Sequence, residues 1–174
     1  MLMIITQIIG FLAVGLYLLS YQLKKRIHIV WVTFISNTFY VLQYLLLGAF
    51  SGAVMDILST VASFFAARKN APPFQKHKKA ITISTLAIIF TVGIAIAILR
   101  RSSIELLPIA GAIFQTVSLW CDDEQTLRKW GLCATPFWLV YNFISKAYGA
   151  SLGSLFALIS IAVSLIRYRK KVER

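Results

Sequence analysis

Between Thr33 and Tyr44 the chain sets Thr33, Ser36, Asn37, Tyr40, Gln43 and Tyr44 at spacings of three, four, seven, ten and eleven residues from the first, the period of one helix face. The other face carries Phe34, Ile35, Phe39, Val41, Leu42 and Leu45. A second set, Trp138, Tyr141, Asn142 and Ser145, falls at zero, three, four and seven and shares a face in the same way. Amides beside aromatic rings suit a sugar or another small polar neutral solute, because amides bond hydroxyls while rings cover apolar faces. The alternative is that these polar groups tie helices together, at ~0.6 kcal/mol per interhelical bond. Asp56 is the one carboxylate well inside an apolar stretch. An ionised group in hydrocarbon costs at least ~2.5 kcal/mol, so Asp56 must face protein or water. There it could bond a substrate, bind a cation or carry a proton. Otherwise it sits near the interface, paired with Arg100, Arg101 or water.

The elements that position these residues are membrane spans. The 174 residues are 59% hydrophobic and 14% charged, more apolar than an ordinary soluble domain. The apolar residues come in runs near the ~20 residues needed to cross about 30 Å of hydrocarbon. The pattern predicts an all-α integral membrane protein with seven spans at about 4–22, 28–47, 51–67, 80–99, 104–120, 131–148 and 149–167. The N-terminal run, with no basic region and no small-residue cleavage site, reads as a retained first span. Pro136 interrupts the sixth span just before Trp138, either as a gating hinge or as a static kink. Glycines 48, 52, 149 and 153 suit a tight turn and close helix contact.

The net charge of +12 could indicate nucleic acid, but the basic residues flank the spans as topology signals do, and no nucleic-acid partner is expected. With seven spans, one side receives fifteen Lys/Arg, and the other receives Arg100, Arg101 and Lys146. The positive-inside rule then puts the N-terminus outside and the C-terminus in the cytoplasm. A shift of 101 residues pairs Gly10 with Gly111, Tyr40 with Tyr141, Gly48-Ala49 with Gly149-Ala150, Ser59 with Ser160, and Arg68-Lys69 with Arg169-Lys170. This register leaves Asp56 opposite Ala157, and Pro136 opposite Ile35. It divides the chain into a three-helix repeat (1–69), a polar loop and linker helix (70–101), and a second three-helix repeat with a basic tail (102–174). A single linker helix gives both triplets the same orientation, an arrangement in which transporters bind near the midplane between repeats.

Three-one-three with the N-terminus outside resembles the SWEET sugar transporters, and each half is similar to a SemiSWEET or PQ-loop unit. Gln22 matches the glutamine of that group's proline-glutamine pair, with Tyr21 in place of the proline, and Trp138 through Tyr141 resembles its tryptophan-x-x-tyrosine element. Asp56 falls near the third-helix asparagine that contacts substrate in that group. The segments Ile9-Gly10-Phe11, Leu19-Ser20-Tyr21-Gln22, Leu45 through Ala53 and Trp138 through Asn142 also resemble the YgjV family of bacterial inner-membrane proteins, which implies an inner-membrane location.

These readings predict a transporter or facilitator of a small polar solute. Asn37, Tyr40, Gln43, Tyr44, Asp56, Trp138, Tyr141 and Asn142 would bind the solute, and two repeats would rock about the site. The rival is a non-transporting scaffold or sensor component with a closed interior; either could form a homo-oligomer. No catalytic cluster appears, so no enzyme is expected. His28 and His77 are too far apart for a metal site, Cys121 and Cys133 fit no metal spacing, and no cofactor is implied.

Overall fold

The computed structural model describes residues 2–145 and 147–169. Among them are eight α-helices, one 3-10 turn and no strand: α1 (Leu2–Gln22), α2 (Arg26–Leu47), α3 (Phe50–Arg68), α4 (Pro72–Gln75), α5 (Lys78–Arg100), the turn Ser103–Glu105, α6 (Leu106–Trp120), α7 (Glu124–Ile144) and α8 (Tyr148–Arg169). Six are long and apolar enough to cross a membrane: α1, α2, α3, α5, α6 with its preceding turn, and α8. At 1.5 Å per residue the 22 residues of α2 cover about 33 Å.

The count of six departs from the seven expected, and α7 is the reason. Its start lies at Glu124, where the sequence suggested a charged loop through Lys129. Glu124, Arg128 and Lys129 therefore dilute its hydropathy. The helix begins early because the Asp123 carboxylate caps it, accepting the Thr126 N–H at 2.7 Å. Hydrogen bonding from the Thr126 side chain, and then from this N–H, holds the Asp123 carboxyl below its ordinary range. Asp123→Ala is expected to cost ~1 kcal/mol in a chemical or thermal melt at neutral pH. Because the folded pKa is depressed, the cap's contribution is present above the ordinary value of about 3.9 and lost as pH falls through the lower folded value. The gap between wild type and variant should therefore narrow as pH falls below that ordinary value; a gap that stays unchanged on acidification refutes the capping account.

α1 packs on α2 and α8, α2 on α3, α3 on α6, α6 on α7, and α7 on α8. These six helices close a ring, and α5 lies outside it against α3 and α6. Only Ile89 and Gly93 of α5 are buried. Gly93 permits the contact, since a Cβ there would overlap Ile109 of α6. The outer surface is apolar, with Phe11, Ile83, Phe90, Leu99, Phe143 and Ile166 exposed, as lipid contact requires. Gly48 ends α2 in the left-handed region at φ 70°, which the turn into α3 needs and glycine supplies without strain.

One end of the ring is basic and tightly bonded. Arg26 of α2 donates through Nε to Cys121 O at 2.6 Å, and through Nη2 to Ala66 O at 3.0 Å and Leu119 O at 2.5 Å. Lys69, fully buried, donates to Trp120 O at 2.6 Å and pairs with Asp122 at 2.6 Å. Lys78 pairs with the same carboxylate at 2.9 Å. The Lys69 and Lys78 ammonium groups hold the Asp122 carboxyl down at about 2. Burial nonetheless lowers Lys69 itself, outweighing the pull of Asp122. Arg128 of α7 donates to Leu23 O at 2.8 Å and lies 4.5 Å from the Tyr168 ring centre. Among the charges that dilute α7, Arg128 is thus met by a carbonyl and a ring at the bundle's end, and Glu124 accepts the Arg26 N–H. Lys146 and residues 170–174, on which part of the charge asymmetry rests, lie outside the described residues.

Candidate functional site

Inside the ring lies a cavity of about 40 Å³. α2 contributes Asn37, Tyr40 and Tyr44 to its wall, α3 contributes Asp56 and Ser59, and α7 contributes Thr135, Trp138 and Asn142. Tyr17 of α1, Gln115 of α6 and Ser154 of α8 complete it. The α2 residues reach it together because positions 37, 40 and 44 lie within one helical stripe. Asp56 and Ser59 meet it one turn apart on α3, as do Trp138 and Asn142 on α7.

Hydrogen bonds fix much of the wall. The Tyr44 hydroxyl donates to Asn142 Oδ1. Asn142 Nδ2 donates to Ser154 Oγ at 3.3 Å, and Ser154 Oγ to Ala150 O at 3.0 Å. Tyr17 donates to Gln115 Oε1 at 3.2 Å, and Asn37 Nδ2 to Ser63 Oγ at 3.4 Å. Two buried wall atoms, Ser59 Oγ and Gln115 Nε2, have no hydrogen-bond partner among the described residues. Asp56 is 6% exposed, and none of the ion pairs among the described residues includes it. Arg100, one of the partners considered from the sequence, instead approaches Glu105 at 4.0 Å.

Six of the eight residues expected to bind the solute therefore line the cavity: Asn37, Tyr40, Tyr44, Trp138 and Asn142 from the two stripes, and Asp56 from its place inside an apolar span. The other two are buried beside it. Gln43 packs where any side chain on Gly10 of α1 would stand, and the Tyr141 ring lies against Gly52 of α3. Both belong to the edges of their stripes, where a helix meets its neighbours. Pro136 lies within α7, exposed and outside the wall. Spacing missed Tyr17, Ser59, Gln115, Thr135 and Ser154.

The wall has a numerical regularity. Tyr17 and Gln115, Asn37 and Thr135, Tyr40 and Trp138, Tyr44 and Asn142, and Asp56 and Ser154 are each 98 residues apart. The helix ends Gln22 and Trp120 and the helix starts Arg26 and Glu124 share that spacing. So do three hydrogen-bonded pairs: Tyr17–Gln115, Arg26–Glu124 (N–H to Oε1, 3.4 Å) and Tyr44–Asn142. This spacing is 98, where residue identities had suggested 101; at 98 Asp56 is matched with Ser154, at 101 with Ala157.

No solved structure matches the chain. It is similar to the inner membrane protein YgjV of Escherichia coli (strain K12), 24% identical over 132 residues that cover 76% of this chain and 67% of the relative. Residues 4–172 match the family Imp-YgjV, described as a bacterial inner membrane protein, and the chain belongs to that family.

Proposed function

We propose that the protein moves a small polar solute across the inner membrane by alternating access between two three-helix repeats, α1–α3 and α6–α8, with α5 as the linker between them. On this reading α7 also spans, giving seven spans in a three-one-three order with the N-terminus outside and the basic end in the cytoplasm. The wall of 98-spaced pairs carries the proposal. Equivalent residues of two like-oriented copies touch each other only close to the axis that relates them. Three such pairs bond, one at the basic end, one within α1 and α6, and one near the far end of α2 and α7. A binding site on that axis is where rocking of two repeats exposes a solute to each side in turn. The ring supports the same reading, since the contact of α1 with α8 has its equivalent in that of α6 with α3. Pro136 leaves α7 one backbone donor short two residues before Trp138, a place where the helix can bend.

Protein reconstituted in liposomes and offered labelled sugars, amino acids and small amines, with and without a proton gradient, is expected to show saturable uptake of at least one. Gradient dependence, if present, should disappear in Asp56→Asn. Absence of flux, with no solute raising the melting temperature, would overturn the proposal in favour of a scaffold with a closed interior.

A further inference from the structure

We infer that the ligand of this cavity is a small organic cation that also carries a hydroxyl, such as a short amino alcohol, and that Asp56 supplies its counter-charge. The inference rests on the reading of the cavity as a solute site. Three observations support it. Asp56 is buried inside the ring with no ion-pair partner among the described residues, and the cavity wall contains no lysine, arginine or histidine. A carboxylate held so far from bulk water is costly unless a positive charge or a proton meets it. Next, the rings of Tyr17, Tyr40, Tyr44 and Trp138 share the wall with that carboxylate. Aromatic faces are negative, and several around one point form a cage that selects cations. Finally, Ser59 Oγ and Gln115 Nε2 are buried without a partner among the described residues. Gln115 Nε2 can only donate, so an acceptor on the ligand, beside its charge, would meet it.

Size narrows the class. The cavity of about 40 Å³ has room for about three waters, at ~10–15 Å³ each. That suits a ligand of three or four non-hydrogen atoms, whereas the sugar suggested by the polar stripe alone does not fit without an opening of the ring.

The test is a titration of the full-length protein in detergent with ethanolammonium, with ethylene glycol as a neutral probe of the same shape, and with glucose. Ethanolammonium is expected to bind saturably and raise the melting temperature, and ethylene glycol and glucose at equal concentration are not. Asp56→Asn, nearly the same size and checked by its own melt, should weaken ethanolammonium about tenfold or more, and Asp56→Glu should retain part of the affinity. If neither variant melts cooperatively, Gln115→Leu reads the hydroxyl contact instead, and is expected to weaken ethanolammonium while sparing methylammonium. Binding of ethylene glycol or glucose equal to that of ethanolammonium overturns the cation assignment and leaves a neutral-solute transporter standing. So does an Asp56→Asn affinity within about twofold of wild type. Gradient-driven uptake of a neutral solute that Asp56→Asn abolishes, without cation binding, overturns it in favour of proton carriage. Ethanolammonium binding without flux in liposomes leaves the cation site and removes the transport reading.

Discussion

Arg26→Ala should lower the melting temperature of the detergent-solubilised protein by about 9 °C, from a loss of about 3 kcal/mol at roughly 3 °C per kcal/mol. The last carbonyls of a helix have no partner within it. Those of α3 and α6 end in one place, and Arg26 at the start of α2 reaches both, bonding Ala66 O, Leu119 O and Cys121 O. A guanidinium fits here because it has several donors in a fixed plane and keeps its charge. Its positive charge also faces the negative ends of two helix dipoles. Removal leaves Ala66 O and Leu119 O to find water where Ile29, Ala66, Leu119 and Leu127 form an apolar cluster, while Cys121 O keeps the Lys69 ammonium, and an unmet buried acceptor costs about 1–3 kcal/mol. Arg26→Lys should recover less than half of the loss, since one ammonium cannot span the three acceptors. Lys69 bonds the neighbouring Trp120 O and Cys121 O, so it limits the damage and should make a Lys69→Met, Arg26→Ala pair worse than additive. A melt of Arg26→Ala within about 2 °C of wild type would show that the bracket contributes little.

What the sequence discloses and what it conceals follow from one physical difference. Helix formation in lipid is dictated by long apolar runs, so α1, α2, α3, α5, α6 and α8 could be placed within a few residues. A stripe with several members also declares itself, which is why Asn37, Tyr40 and Tyr44 were found. Tyr17 and Gln115 lie on helices with other scattered polar residues, among them Thr6, Gln7 and Ser20 of α1 and Thr116 and Ser118 of α6, and nothing in the spacing singles them out until a ring brings α1 and α6 to one cavity. The start of α7 was hidden because Asp122, Asp123 and Glu124 resemble a solvated loop, although the Asp123–Thr126 spacing is that of an N-cap. Identities such as Gly48-Ala49 with Gly149-Ala150 favour a shift of 101, whereas the cavity wall and the helix ends favour 98. The difference between 98 and 101 is three residues, which turns a helix by about 300° and moves it ~4.5 Å. The two spacings therefore keep nearly the same face and differ in level: both set the stripes of α2 and α7 opposite each other, with Tyr40 matched to Tyr141 at 101 and to Trp138 at 98.

Gly111→Val is expected to reduce solute uptake by roughly tenfold or more and to cost about 1–3 kcal/mol of stability through overpacking. Gly111 is buried in α6 where the helix meets α7. A Cβ there would stand 2.7 Å from Trp138 Nε1 and 2.9 Å from its Cδ1, closer than real side chains tolerate, so the indole must move. Its retreat toward α3 is limited by Tyr141, whose ring centre is 6.2 Å away at 81° and which itself rests on Gly52. The free space left to it is the cavity of about 40 Å³. A ring driven into that volume fills the room of about three waters and excludes any solute. The second-site variant separates this from simple damage to the fold. In Gly111→Val with Trp138→Leu the shorter side chain removes the collision, so the melting temperature should return most of the way to that of Trp138→Leu alone. Cavity access should return with it, so uptake by the double variant should exceed that of Gly111→Val. Uptake by Gly111→Val within about twofold of wild type would mean that Trp138 does not border the path of the solute, and with it the wall assigned to α7 would fall.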